Sequence, residues 1–248
     1  MEQEQIAALL TQLPDLQYAF YCQKPDGSII SLFNHEVFSA ASIIKVPILL
    51  AWVTLERQGL LNHLELCDLD AEPQVQGAGF SWKLKARQLP YYDILLMMLS
   101  ISDNLCANLI LQKIGLERLE KVFKQDFGFK HSLVQRKLMD FDAKACGLDN
   151  LISFQDCIRF YEIIASFSPQ EQSWIQSLLS VCMGNNLFLR DIPRDTVRFY
   201  HKTGSIPNVI HDWGFTEYGR LFLLTQNVQS EPLVFNIFGK IGQQFFDQ

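Results

Sequence analysis

The chain has 248 residues, 48% hydrophobic and 19% charged, a balance that suits a soluble globular fold able to bury a substantial core. Its formal net charge of −6 and its lack of a basic run exclude a nucleic-acid partner, because binding a phosphate backbone requires clustered Lys and Arg. No apolar run reaches membrane-spanning length, so no membrane-embedded role is expected.

The opening Met1-Glu2-Gln3-Glu4-Gln5 has neither the positive nor the apolar region of a secretory signal. As it stands the chain reads as cytoplasmic, or as periplasmic or extracellular if an export signal has been trimmed. A short amphipathic helix is predicted over Ile6 to Leu13. Strands follow at Leu16 to Cys22 and Ser28 to Phe33, joined by the turn residues Pro25-Asp26-Gly27. From Ser42 to Gln58 the pattern is helical, with Pro47 in the first turn, where its missing N–H costs little, and Gly59 beyond the end. Further helices are predicted from Pro90 to Leu99 and from about Asn104 to Ile114, the latter closed by Gly115. Ser153-x-x-Asp156 and Ser168-Pro169-Gln170-Glu171 each place a hydroxyl three residues before an acid, a helix-capping pattern, and Gly184 is expected to close the second helix.

After Asn186 strands return, at Thr196 to Lys202, Val209 to Thr216 and Arg220 to Gln226, rich in β-branched and aromatic residues. A last helix covers Leu233 to Phe246. The order predicts an α+β fold: a five-stranded antiparallel sheet assembled from both chain ends with packed helices, plus an inserted all-helical domain. The corresponding division is 1–38 with 196–248 for the sheet domain and 39–195 for the helical one, with the active site at their interface. Six cysteines form no Cys-x-x-Cys pair and several stand in apolar stretches, so they read as reduced core fillers.

Ser42-Ile43-Ile44-Lys45 puts a hydroxyl and an amine three residues apart on one helical face. A serine hydroxyl is a weak nucleophile until a base takes its proton, and a lysine serves once desolvation or nearby cations lower its pKa. Ser102-Asp103-Asn104 follows in a break between two apolar helical stretches. Lys202-Thr203-Gly204 ends a strand, where the absent side chain of Gly204 lets a substrate backbone approach. Together, in this order, the three motifs resemble those of class A β-lactamases and penicillin-binding proteins. Gly77-Ala78-Gly79 is similar to the Gly-x-Gly stretch of that family, and the likeness covers nearly the whole chain.

The resemblance implies an acyl-enzyme on Ser42, with Lys45 in the proton path and Ser102, assisted by Lys202, relaying a proton to the leaving nitrogen. Asn104 would hold the substrate amide, Thr203, Gly204 and Ser205 would line the carboxylate and backbone side, and the N–H groups of Ser42 and Ser205 would form the oxyanion hole. It implies a small β-lactam, peptide or ester as substrate, no cofactor or metal, and a monomer. Two departures stand out. Where hydrolytic class A enzymes carry a loop Glu that activates the deacylating water, this chain has Arg136-Lys137-Leu138-Met139-Asp140-Phe141-Asp142. Asp140 or Asp142 are the candidate substitutes, one methylene shorter, and slow deacylation is expected. Asp212-Trp213 stands where many members place a carboxylate-binding arginine.

Within the same superfamily a D,D-peptidase or esterase fits too, as does a sensing domain that stays acylated. A Ser-His-Asp hydrolase through His201, His211 and Asp212 lacks the Gly-x-Ser-x-Gly elbow. The five histidines form no His-Glu-x-x-His cluster for a metal.

Overall fold

The computed structural model describes residues 2–246. Helix α1 (Gln3–Leu10) leads into β1 (Gln17–Gln23) and β2 (Ile29–Phe33), the N-terminal hairpin. The strands β7 (Tyr200–Ile206), β8 (Val209–Phe215) and β9 (Arg220–Gln226) complete an antiparallel sheet in the order β2-β1-β9-β8-β7. The expected five-stranded sheet from both chain ends is present. It closes through β1 and β9, which pair along their full length from Gln17↔Gln226 to Gln23↔Arg220.

Between the two ends run α2 (Lys45–Arg57), α3 (Tyr91–Ser100), α4 (Asn104–Ile114), α5 (Leu116–Lys121), α6 (Phe141–Ala145), α7 (Phe154–Ser166) and α8 (Pro169–Leu179). Helix α2 is buried on all sides from Lys45 to Leu55, as a helix at the centre of a core must be. Both predicted caps form: Ser153 accepts from Asp156 N, and Ser168 with Glu171 makes a reciprocal capping box.

The two faces of the sheet bury different side chains. Tyr200, Trp213, Phe215 and Phe222 pack into the core shared with the helical insertion. Phe199, Ile210, Leu221 and Leu223 pack against α1 and α9 (Glu231–Phe246). This alternation fixes the register, since a slip of one residue would exchange the faces.

Several local expectations are corrected. Strand β7 starts at Tyr200 and continues through Gly204 to Ile206, so Lys202-Thr203-Gly204 lies within the strand and not at its end. Helix α8 stops at Leu179 with Ser180 at its C-cap, and Gly184 instead accommodates Thr203, whose Oγ1 would stand 2.1 Å from a methyl on that glycine. The pairs β3 (Val37–Ser39) with β6 (Leu151–Ser153), and β4 (Leu66–Asp68) with β5 (Gln88–Pro90), are too short to show alternation in sequence.

Candidate active site

Ser42 lies in a 3-10 turn, Ala41–Ile44, that runs directly into α2. Successive third residues eclipse in such a turn, so Ser42 and Lys45 face each other more closely than in an α-helix. Ala41, just before Ser42, has a left-handed backbone, φ 45°, as does Ser102 at φ 58°. Strained non-glycine residues of this kind persist where the surrounding structure holds them.

Lys45 is fully buried, and its Nζ lies 3.1 Å from Ser42 Oγ, 3.0 Å from Ser102 Oγ, 2.6 Å from Ser102 O and 2.9 Å from Asn104 Oδ1. The last two are obligate acceptors, whereas the hydroxyls can donate or accept. A neutral amine therefore satisfies the site: its two N–H groups go to Ser102 O and Asn104 Oδ1, and its lone pair accepts from a hydroxyl. Burial is the main force holding the Lys45 pKa well below the usual lysine range. The nearby charge of Lys202 adds to the depression, and Asp103 and Cys106 oppose it.

The α3–α4 junction that presents Ser102 is anchored by Asp103, to which the sequence reading assigned no role. Its carboxylate, fully buried, caps α4 through Cys106 N at 3.0 Å. It also accepts from Phe80 N, Ser81 N and Ser81 Oγ at 2.7–2.8 Å. Gly79 is required here, since a methyl would come within 2.1 Å of Asp103 Oδ2. The polar residue just ahead of the apolar α4 pattern was the capping signal that could have identified Asp103. Asn104 is engaged at both ends of its amide, by Lys45 at Oδ1 and by Gln76 O at Nδ2, 3.1 Å away. It thus fixes Lys45 from the start of α4.

From the other side β7 closes on Ser42. A methyl on Gly204 would lie 2.9 Å from Ser42 N and 3.0 Å from Ile43 N, so only glycine lets the strand approach the turn. Ser205, the next residue, is exposed, and Thr203 is half-buried. Lys202 is buried, with its Nζ donating to Thr203 O at 2.8 Å. Burial depresses its pKa, and the charges of Cys182 and Asp212 counter part of that effect. Ser42, Lys45, Ser102 and Asn104 are thus joined by direct hydrogen bonds, with Gly204 against them and Lys202 within electrostatic range.

Asp140 and Asp142 are not joined to this network by any hydrogen bond of the described residues. Asp140 is exposed and caps α6 through Ala143 N at 3.0 Å, and Asp142 is an exposed residue of the same short helix. Their segment is pinned from below: Asn108 holds Leu138 at both backbone atoms, Lys137 pairs with Glu72, and Arg136 pairs with Asp149. Met139, with φ 67°, turns inward. Its Cε would be 2.7 Å from a methyl on Gly77, and Asn104 Nδ2 would be 3.2 Å from the same point. A thioether, which cannot act as a proton acceptor for water at neutral pH, occupies this flank of the site.

The Ser-His-Asp alternative is not assembled. His201 pairs with Asp212, Nδ1 to Oδ1 at 3.0 Å, but its remaining nitrogen faces Asn185 Oδ1 at 3.3 Å. His211 is spent on the backbone, with Ser39 O at Nε2 and Thr225 N at Nδ1. The six cysteines are free thiols. One departs from the core-filler reading: Cys146 is exposed.

The sequence pattern of the β-lactamase enzyme family matches residues 2–248. Among solved structures, PBP-A is similar at 24% identity and TM-score 0.81, covering 99% of this chain and 96% of that one. A single-residue mutant of PBP-A, determined as an acyl-enzyme complex with penicillin G, matches at 23% identity and TM-score 0.81, with the same coverage. A β-lactamase from Sphaerobacter thermophilus superposes at TM-score 0.86 with 20% identity, covering 100% and 99% of the two chains. No curated protein matches by sequence.

Proposed function

The chain belongs to the β-lactamase enzyme family, and from that premise we propose that it is a serine acyl-transfer enzyme that opens β-lactams through Ser42. The observation that carries this reading is the buried Lys45, its Nζ 3.1 Å from Ser42 Oγ in a site where burial and the charge of Lys202 favour the neutral amine. Lys45 takes the Ser42 proton as Oγ attacks the carbonyl carbon. The Ser42 and Ser205 N–H groups receive the developing oxyanion, charge that appears only in the transition state. Ser102, 3.0 Å from the same Nζ, passes a proton to the departing nitrogen, and Lys202 favours that transfer by its charge. Thr203, Gly204 and Ser205 bind the substrate along the β7 edge, and Asn104 bonds its amide with the N–H left free by Gln76.

Release of the acyl group is the slow step in this reading. It needs a water beside the ester carbonyl and a base for it, and the flank where that base would act holds Met139. Asp140 is committed to its cap. A long-lived acyl-enzyme also fits a β-lactam-sensing role, and PBP-A, trapped as a mutant with penicillin G, is a structural neighbour of this fold. Burst kinetics test the proposal. With excess β-lactam we expect about one product equivalent per enzyme at once, followed by turnover roughly 10²–10⁴-fold slower, the usual contribution of a general base. A linear steady state without a burst contradicts slow release. Turnover of D-alanyl-D-alanine peptides far above that of β-lactams would make the chain a peptidase of the same fold.

A further inference from the structure

The helix-facing side of the sheet changes character at one end. Tyr21, Phe222 and Trp213 fill one cross-strand row with aromatic rings, and Tyr200 and Phe215 begin the next. That next row continues with Arg220 on β9 and Gln23 on β1, each directly paired with its neighbour and so projecting from the same face. Beside this polar pair lies a cleft of about 350 Å³, open to solvent. Tyr161, Ile164 and Ala165 of α7 line one wall with Gln172 and Gln176 of α8, and the β1–β2 and β8–β9 turns line the other. None of its lining residues belongs to the network of Ser42, Lys45, Ser102 and Asn104. Phe215 is four residues along β8 from His211, the partner of Gly204, roughly 14 Å at strand spacing.

The floor of the cleft is rigid. The Tyr161 hydroxyl donates toward Gly214 O at 3.0 Å and Leu221 O at 3.2 Å, and its ring stacks on Trp213 at 4.6 Å. The Arg220 guanidinium lies 5.3 Å over the Tyr161 ring, which fixes its plane. Among the described residues neither Arg220 nor Lys24, a half-buried cation of the opposite wall, has a carboxylate within ion-pairing distance. Tyr218 is 73% exposed, so its ring is available at the mouth, while Thr216 Oγ1 braces the turn by accepting from Tyr218 N and Gly219 N.

We propose that this cleft is a second binding site, for a flat aromatic monocarboxylate. Arg220 offers a planar fork of donors that matches the two oxygens of a carboxylate. Phe215 and Tyr218 flank it with ring surface for an aromatic body. Two cations, Arg220 and Lys24, stand against one acid, Glu217, and the single positive charge left over suits a monoanion and disfavours a phosphate dianion. The volume falls at the lower end of the range of about 300–1,000 Å³ for small-molecule sites, which suits an acid of two fused rings.

The site is independent of the acyl-transfer reading, and equilibrium dialysis with 2-naphthoate tests it. The wild type should bind one equivalent. The uncharged 2-naphthamide should bind about 10–100-fold more weakly, the worth of charge-assisted hydrogen bonds. The saturated decalin-2-carboxylate should lose about threefold or more, because it cannot stack. Arg220→Gln should weaken naphthoate as much as the amide does. Ala165→Trp, at an exposed position of the cleft wall, should block the site without touching the core, so the test stands even where Arg220→Gln fails to fold. No bound naphthoate at millimolar concentration, or equal binding of the amide, overturns the proposal. Decalin-2-carboxylate bound as tightly as naphthoate overturns the aromatic class, and one equivalent of naphthoate retained by Ala165→Trp places the ligand elsewhere and overturns the site.

Discussion

At the level of single residues, the site turns on which groups can hold or release a proton. Lys45 is stripped of water and lies near the charge of Lys202, so its neutral form is favoured and the proposed mechanism has a destination for the Ser42 proton. Lys45→Ala should slow single-turnover acylation by about 10²–10⁴, the range for loss of a general base. A near-normal rate would mean that the proton leaves by another route. Met139 is the complementary position. Its thioether reaches the space beside Gly77 and Asn104, where a carboxylate could hold a water. Met139→Glu should raise the rate of acyl release by about 10² or more while leaving the burst amplitude at one equivalent. Release unchanged in that variant would place the deacylating water elsewhere.

At the level of elements, the proposed oxyanion hole requires the strand β7 and the turn before α2 to come into backbone contact. Gly204 is the residue that permits it. Gly204→Ala puts a methyl 2.9 Å from Ser42 N, so the strand must retreat by several tenths of an ångström. The expected result is an acylation rate about 10²-fold lower, as for a misplaced or lost oxyanion donor, measured by stopped-flow with a chromogenic β-lactam. An unaffected rate would show that the strand does not supply the second donor.

The same glycine explains what could and could not be read from the sequence. Ser42-x-x-Lys45 and Ser102-Asp103-Asn104 were legible because each sits at a junction of strongly patterned elements, and Lys202-Thr203-Gly204 because its residues are contiguous. Gly204 read as a strand end because glycine ordinarily weakens a strand, yet its place is mid-strand and is set by a tertiary contact that no local pattern encodes. Gly184 misled for the same reason: its small size serves Thr203 and not a helix cap. The roles of Asp103 and Met139 depend on partners far along the chain, so their residue types alone carried little information. The caps at Ser153 and Ser168 were legible because they are local.

On the scale of the whole molecule, the sheet clamps the helical insertion through buried polar groups as well as apolar ones. His211 on β8 links the sheet to the segment before Ser42, donating from Nε2 to Ser39 O while Nδ1 accepts from Thr225 N. Only the neutral ring can do both. Burial is the dominant cause that lowers its pKa from 6.5 to about 4, although the backbone of Ser39 and Ile210 acts the other way. Between those values the unfolded chain takes up a proton that the folded chain refuses. Stability from this group is therefore intact above about pH 6.5 and is lost as pH falls toward 4, by roughly 3 kcal/mol at most. Urea midpoints should fall over that interval, and His211→Gln should show a shallower decline from a lower start. A variant with the same pH slope as the wild type would assign the acid sensitivity to the carboxylates instead.

Every part of the account converges on a covalent bond to one hydroxyl, and intact-mass spectrometry during exposure to penicillin G measures it directly. The wild type should gain the mass of one penicillin within the burst and lose it slowly, while Ser42→Ala should gain none. An adduct of equal yield on Ser42→Ala, or a folded wild type that never gains the mass, would contradict the account.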